Sequence, residues 1–204
     1  MPDAPPDARG DAVISYIQGT TTAGSSAVAL LTLGMPVASG DLCVVSVGIS
    51  GGSITSVTDS GGDTFRLVGT NGNQSVYTAA NMHANANATV TITFGGPTGF
   101  TAAAAQYRGL ALASPEDGTI SVAGNGNSLD SGAVTTSHPH DLLLGLAVSN
   151  GNLGNGTGYT MRVGPTYSLI EDEEVTSAGS YHATATGMGN PTWTIRLLAL
   201  KAAD

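Results

Sequence analysis

Residues Gly40–Ser50 read GDLCVVSVGIS and predict a β-strand in the interior of a sheet. Successive side chains of a strand point to opposite faces of the sheet. One face would therefore carry Cys43, Val45, Val47 and Ile49, and the other would carry Leu42 and Val44. Because both faces are apolar, both have to be covered, which favours a central strand over an edge strand.

A near-copy of this strand follows later in the chain. Residues His140–Ser149 read HDLLLGLAVS, and both copies begin with Asp-Leu and lead into a loop rich in Gly, Ser and Asn. Short segments with strand-like patterns and turn signals at close spacing fill the rest of the chain, and no segment predicts a helix. The sequence therefore predicts an all-β fold, an antiparallel β-sandwich with little or no helix.

The other predicted strands are short. They are expected at 13–17, 28–33, 53–58, 64–68, 74–79, 89–94, 100–108, 133–136, 159–163, 175–185 and 193–200. Gly61 and Gly62 predict a hairpin turn, since glycine adopts positive φ without steric cost. Gly95–Pro97 is expected to end a strand, and 19–26 and 150–158 are expected to be turn and loop. We expect one sandwich domain over residues 12–204, preceded by an extended, proline-containing arm at 1–11.

The composition excludes some functions and favours others. Only 10% of the residues are charged, against roughly 25% in ordinary soluble proteins. The net charge is -9, and the six Lys and Arg residues are scattered, which argues against binding to nucleic acid or to anionic membranes. The surface must then consist largely of Thr, Ser, Asn and Gly, which is typical of extracellular proteins and of the outside of virions.

Two further features concern the compartment. Cys43 is the only cysteine, so the chain forms no internal disulfide, and its place in the central strand indicates a small apolar core residue. The sequence begins without the basic and apolar regions of a signal peptide, and no apolar run reaches the ~20 residues of a membrane span. We therefore expect the protein to be made in the cytosol, as phage structural proteins are.

The order of several motifs resembles a known family. Ile54–Phe65 reads ITSVTDSGGDTF and lies between Gly40–Leu42 and the segments Val90–Phe94 and Gln106–Gly109. Asp141–Gly145, Gly158–Thr160, Glu171-Asp172, Ala178–Tyr181 and the Trp193 strand continue the series. Together these resemble jelly-roll-like β-sandwich modules of phage virion proteins and of bacterial surface or secreted proteins. The resemblance covers roughly residues 38–201 and implies a fold but no catalytic residues.

Two acidic groups are candidate metal ligands. Asp59 and Asp63 flank the Gly-Gly turn and offer carboxylates to Ca²⁺, or they belong to a plain hairpin turn. Glu171 and Asp172 begin a run of four acidic residues that could likewise collect a cation, or form a solvated acidic loop. Calcium takes about six to eight oxygen ligands, and each group supplies few. We therefore expect no cofactor, with Ca²⁺ as the open alternative.

Other residue patterns bear on binding and catalysis. Sugar-binding sandwiches stack sugars on exposed aromatic rings. Trp193 lies in an apolar strand and is expected in the core, which leaves Tyr159, Tyr167 and Tyr181, near predicted loops, as ligand-binding candidates. Ser50 stands in a G-x-S-x-G pattern, but a hydrolase elbow needs a helix after the serine, and strand-like sequence follows. His138 and His140 have no clear third metal ligand. We expect no enzymatic activity.

These observations lead to two expectations for function. The first is a non-enzymatic structural protein on the surface of a bacteriophage virion, either a capsid decoration or a tail or fibre accessory protein. Its partners would be other virion proteins and further copies of itself, for example in a trimer, since sandwich edge strands invite pairing. The alternative is a carbohydrate-binding or adhesion module of a bacterial surface or secreted protein, located outside the cell and bound to surface glycans.

Overall fold

A computed structural model describes residues 13–203 and is built entirely from strands and their connections. In this part of the chain no helix is present, and so none that could span a membrane. The strands are β1 (Ser15–Thr32), β2 (Leu42–Ile49), β3 (Ile54–Asp59), β4 (Arg66–Asn71), β5 (Gln74–Ala79), β6 (Thr89–Arg108), β7 (Glu116–Asn125), β8 (Ser128–Thr135), β9 (Asp141–Asn155), β10 (Thr160–Val163), β11 (Thr166–Val175), β12 (Ser180–Gly187) and β13 (Thr192–Lys201).

Two antiparallel sheets pack face to face, which confirms the predicted β-sandwich. The first sheet has the order β1-β6-β2-β5-β4, and β3 pairs with the first part of β6. In the second sheet β10 and β11 lie on one side of β9. On its other side β9 pairs with β13 along its first part and with β12 at its end, while β7 pairs with β13 and β8 with β12. Each half of the chain therefore makes its own sheet.

The second half of the chain repeats the strand pairing of the first half. The long strand β1 corresponds to β7 and β8, and the long strand β6 corresponds to β12 and β13. The pair β2 and β3 corresponds to the two ends of β9, and β4-β5 corresponds to β10-β11. The two near-copies noticed in the sequence, at 40–50 and 140–149, occupy equivalent positions. The fold is thus an internal duplication of one eight-segment β unit.

Three apolar clusters hold the layers together. Between the two sheets lie the inner side chains of both halves, including Leu42, Val44, Leu142 and Leu144. The outer face of β2 is covered by the last part of β1 (28–32), the first part of β6 (89–94) and β3, which enclose a second cluster around Val45. The outer face of β9 is covered in the same way by β8 and β12. Both central strands are therefore buried on both faces, as the sequence predicts.

Several strand limits differ from the predicted ones. The predicted turn at 19–26 is part of β1. Gly19 is needed there for space and not for a turn, because a Cβ atom on it would collide with the Val163 side chain and lie 3.0 Å from the Ala104 carbonyl. Gly95–Pro97 does not end the strand. Thr93 pairs with Val28 and Thr98 with Ser26, so these residues bulge out and let β6 bend from the outer layer into the inner one. The predicted loop at 150–158 mostly continues β9, which runs to Asn155.

The turn at Asp59–Asp63 is present, but it does not make a hairpin. Gly62 has φ of +77° and its N–H bonds to the Asp59 carbonyl, as the turn prediction requires. The strands on either side are not partners, however, because β3 pairs with β6 and β4 pairs with β5. The prediction of a hairpin was wrong because turn residues specify a local reversal but not which strands pair. The expected arm at 1–11 lies outside the described residues.

Candidate functional site

A groove opens between the two sheets at the end of the sandwich where β2 finishes and where β9 passes residues 149 and 150. It has a volume of about 750 Å³ and lies next to Gly48, Ser50, Ser149 and Asn150. β2 and β9 face each other there, and a Cβ atom on Gly48 would approach Val148 to 3.2 Å. Because equivalent residues of the two halves meet at this point, the groove lies where the duplicated units adjoin.

Aromatic rings from facing strands line the groove. Phe100 comes from β6 and Tyr167 from β11, and Tyr167 is 46% exposed. Phe100 stacks on Phe94 with ring centroids 5.2 Å apart, so the outer apolar cluster supports its ring. Gly24 leaves room beside that ring, since a Cβ atom there would lie 3.4 Å from it. The groove thus offers apolar surface that is fixed from behind.

Polar side chains surround these rings. The Asn150 Oδ1 accepts a hydrogen bond from the Thr192 backbone N–H at 2.9 Å, and the Asn73 Oδ1 accepts one from the Thr194 hydroxyl at 3.2 Å. These bonds hold both amide groups at the rim. The Thr101 hydroxyl, also in the groove lining, is buried and has no hydrogen-bond partner in the protein. Rings flanked by amides and hydroxyls are the chemistry that binds sugar rings.

Tyr167 has an unusual backbone conformation. Its φ is +62°, a region that bulky side chains seldom occupy, and it stands at a β-bulge in the pairing of β11 with β9. Pro165, two residues earlier, follows a cis peptide bond, and its carbonyl accepts the Leu153 backbone N–H. Such positions at bulges often aim a side chain toward a ligand. Here the bulge directs Tyr167 into the groove.

The three tyrosines named from the sequence do not form one site. Tyr159 is buried in the outer cluster of the second half, and its hydroxyl donates to the His182 carbonyl at 3.0 Å. Tyr181 is half-buried against the same cluster, and its hydroxyl donates to the Ser177 carbonyl at 2.6 Å. Both rings thus serve packing, and Tyr159 presents no face for stacking. Of the three, only Tyr167 lies in the groove.

The acidic run at Glu171–Glu174 is part of strand β11, so the predicted acidic loop was wrong. Glu171 is fully buried, with its Oε2 accepting the Gly156 backbone N–H at 2.8 Å and its Oε1 unpartnered in the protein. Burial raises the pKa of Glu171 to about 8, and the neighbouring Asp172 adds to the rise. A carboxyl with this pKa is mostly protonated at pH 7.

Asp172 joins the two sheets through a polar network. Its carboxylate accepts the Tyr107 hydroxyl at 2.9 Å and the Arg162 Nε–H at 2.8 Å. The Arg162 guanidinium also lies 4.8 Å from the centre of the Tyr16 ring, which packs edge-on against Tyr107. Burial, followed by the nearby Asp172 charge, holds the pKa of Tyr107 well above its ordinary value. Asp172 therefore ties Tyr107 of the first sheet to Arg162 of the second sheet.

Asp59 and Asp63 lie together, with one oxygen of each unpartnered. The Asp59 Oδ1 accepts the Asp63 backbone N–H at 2.8 Å, and the Asp63 Oδ1 contacts the His83 Nδ1 at 2.7 Å. Both Oδ2 atoms are buried and have no hydrogen-bond partner in the protein. Burial, and then these two charges, raise the pKa of Cys43 to about 12, so its thiol is a core group as predicted.

The remaining sequence candidates are Ser50, His138 and His140. The Ser50 Oγ lies 3.4 Å from the Thr98 hydroxyl, and the residues after it form a bend and then β3. The His138 Nδ1 contacts the His140 carbonyl at 3.1 Å and lies 3.8 Å from the Asp141 Oδ1. Within residues 13–203 no three His, Cys, Asp or Glu side chains converge in a way that could hold a metal ion.

Sequence reasoning missed most of the groove. Phe100 of β6, Asn73 of the β4–β5 turn, Asn150 of β9 and Thr192 of β13 are distant in sequence, and no local motif connects them. One signal was available, because Pro97-Thr98 and Pro191-Thr192 precede equivalent strands of the two halves. Recognising that repeat would have placed these loops at one end of the sandwich. Comparisons with protein-family models, with curated proteins and with solved structures find no match to this chain.

Proposed function

We propose that this protein is a non-enzymatic structural component of the surface of a bacteriophage virion, as a capsid decoration or a tail accessory protein. The observation that carries the proposal is the duplicated sandwich itself, in which three apolar clusters hold the two sheets and the strands that cover their outer faces together. A rigid double unit with a surface that is poor in charge suits a protein that coats a particle. The motif order that resembles virion β-sandwich modules gives further support.

The assembly surface in this proposal includes the edge strand β1. The last part of β1 (28–32) pairs only with β6, so its other edge is open. Val28 and Leu30 lie there with 44% and 57% of their surfaces exposed. Apolar side chains on an open edge favour pairing with another copy. Leu30→Lys is expected to lower the solution mass of an oligomer measured by light scattering. Leu112→Lys, at an exposed leucine outside the strands, is the control and should leave the mass unchanged.

Immunogold electron microscopy tests where the protein is located. The sample is intact phage particles from a bacterial culture in which this protein is produced. Antibodies raised against the folded chain are applied to these particles. The proposal predicts gold on the outside of head or tail in a regular pattern. Particles that remain unlabelled while antibodies to a major capsid protein label them would contradict it.

The groove favours a second candidate function, a carbohydrate-binding or adhesion module. The specific observation is that the exposed ring of Tyr167 and Phe100, whose ring stacks on Phe94, line the same groove as the amides of Asn73 and Asn150. Stacking of a sugar on an aromatic ring buries apolar C–H surface, and the amides can bond to the sugar hydroxyls. This candidate is compatible with a place on a virion, since phage surface proteins and adhesins both meet cell-surface glycans.

A glycan array with matched variants tests this second function. Tyr167→Ala should abolish binding to any glycan that the chain retains, because it removes the exposed ring of the groove. Tyr167→Phe keeps the ring and should keep most of the affinity. Tyr181→Ala, which changes a tyrosine outside the groove, should bind as the parent does. Equal binding by the parent and Tyr167→Ala would place the glycan elsewhere, and binding to no glycan would remove the candidate.

A further inference from the structure

We propose that the turn Asp59–Asp63 binds one hard divalent cation, with Ca²⁺ as the best match, through the Oδ2 atoms of Asp59 and Asp63. Both of these carboxylate oxygens are buried and have no hydrogen-bond partner in the protein. Leaving a buried charged oxygen unpaired is costly, and two of them side by side repel each other as well. A cation between them removes both costs.

The two oxygens point toward the same space. A Cβ atom built on Gly61 would lie 2.9 Å from the Asp59 Oδ2 and 3.1 Å from the Asp63 Oδ2. Gly61 has no positive φ, so its backbone does not require glycine. What its missing side chain provides is room next to both carboxylates. The Asn85 Nδ2 would lie 3.4 Å from the same Cβ atom and donates to the Ser60 hydroxyl, so the turn contains a small space bounded by two carboxylate oxygens and one amide group.

Hydrogen bonds fix the orientation of both carboxylates. The Asp59 Oδ1 is held by the Asp63 backbone N–H at 2.8 Å. The Asp63 Oδ1 is held by the His83 backbone N–H at 3.0 Å and by the His83 ring, and the Asp63 side chain is only 4% exposed. Since each Oδ1 is occupied, each Oδ2 is left facing the space beside Gly61. A plain turn does not need this arrangement.

The loop that carries His83 holds the turn in place from the other side. The Asn85 Nδ2 donates to the Ser60 hydroxyl at 2.9 Å, and the Thr89 backbone N–H donates to the same hydroxyl at 3.1 Å. The Ser60 backbone N–H in turn donates to the Thr89 carbonyl at 3.0 Å. These bonds are all made within the protein and hold the cradle independently of a cation, which lowers the cost of binding.

The donor set indicates which cation fits. Carboxylate oxygens prefer hard cations such as Ca²⁺ and Mg²⁺ over Zn²⁺, which favours nitrogen and sulfur. Ca²⁺ takes about six to eight oxygens in flexible geometry, so two side-chain oxygens leave the rest of its shell to water and to the main chain. Sites with few charged ligands bind weakly, and we expect a dissociation constant on the order of 10⁻⁴–10⁻³ M.

The test uses the full chain, treated with a chelator and then freed of it, and the probe is Ca²⁺ itself. Isothermal titration with CaCl₂ should give one ion per chain. At about ten times the dissociation constant, Ca²⁺ should raise the melting temperature by roughly 3–6 °C above NaCl of equal ionic strength. Asp59→Asn and Asp63→Asn should each remove the rise and the titration heat, and both should melt in chelator no lower than the parent.

Two further variants separate a cation site from general charge screening. Gly61→Ala keeps both carboxylates but fills the space, so it should weaken Ca²⁺ binding at least tenfold. Asp130→Asn is the matched control, because Asp130 also contacts a histidine ring, that of His182 at 3.0 Å, but is exposed. It should respond to Ca²⁺ as the parent does. A parent that neither binds Ca²⁺ nor gains in melting temperature, or a gain that Asp63→Asn retains, would overturn the proposal.

Discussion

Glu171 is the residue whose burial has the clearest consequence for stability. Its pKa is about 8 in the folded protein because it is taken out of water, against an ordinary value of 4.5. The folded chain therefore holds a proton between these values that the unfolded chain has released. By proton linkage, the stability that this residue provides is complete below pH 4.5 and is lost as pH rises toward 8. Asp141, whose pKa burial raises to about 6, acts in the same direction.

Glu171→Gln should remove most of this pH dependence. The amide resembles the protonated acid, so the variant should match the parent near pH 4.5 and be more stable at pH 8 to 9. The expected gain is about 1.4 kcal/mol for each pH unit between 4.5 and about 8, where the unfolded parent has released the proton that the folded parent still holds. Urea unfolding at several pH values measures it. Glu174→Gln, at an exposed position of the same strand, is the control, and identical pH profiles for parent and Glu171→Gln would contradict the account.

Asp172 connects Tyr107 and Arg162 across the seam between the sheets. Asp172→Ala leaves a buried hydroxyl and a half-buried guanidinium without their acceptor, and it should cost roughly 2–4 kcal/mol of unfolding free energy. Asp172→Asn keeps an acceptor for one of them and should cost less. Denaturant unfolding of both variants measures the difference. A loss below about 0.5 kcal/mol for Asp172→Ala would mean that water replaces the network.

At the level of elements, glycine in this protein often marks strands that approach closely and not turns. Gly156, just after β9, has no room for a side chain, because a Cβ atom would overlap the carbonyl of Thr184 in β12. Gly156→Ala should therefore push these strands apart and cost roughly 1–3 kcal/mol. Gly51→Ala is the control, since nothing lies within 4 Å of its Cβ position. Thermal unfolding compares the two, and equal melting temperatures would refute the packing argument.

The same property of glycine explains which elements the sequence could predict. The strands at 42–49, 74–79 and 192–201 could be predicted because a strand buries the apolar residues of these segments better than a helix or a loop would. Residues 19–26 of β1 and residues 150–155 of β9 were predicted as turn and loop because Gly and Asn usually favour turns, and tertiary contacts decided otherwise. Strand β11 was missed because its acidic run hides Leu169 and Ile170, which are both buried.

The candidate sites divide in the same way. Asp59 and Asp63 were found from the sequence because they are close along the chain and flank a recognisable turn. Their buried, unpartnered oxygens depend on the loop at 83–89, which only the folded structure brings near. Tyr167 was found as a tyrosine near a loop, but its groove is formed by residues of several strands that are distant in sequence. Candidate residues that are close in the sequence could therefore be predicted, whereas the residues that folding brings near them could not.

At the scale of the whole molecule, the shared cluster between the sheets should make the two duplicated halves unfold together. Each half contributes side chains to this cluster, such as Val44 of β2 and Leu144 of β9, so neither half can lose its structure without exposing the other. Scanning calorimetry should show a single transition with a calorimetric to van't Hoff enthalpy ratio of about 1. Two separated transitions would show that the halves are independent units.

The central proposal, that the chain is a component of a phage particle, is tested most directly by the protein inventory of purified particles. Particles are banded on a density gradient, and their proteins are quantified by mass spectrometry against the major capsid protein. We predict peptides of this chain in a fixed ratio to that protein across the particle band. Absence of the chain from particles whose other structural proteins are all detected would contradict the proposal.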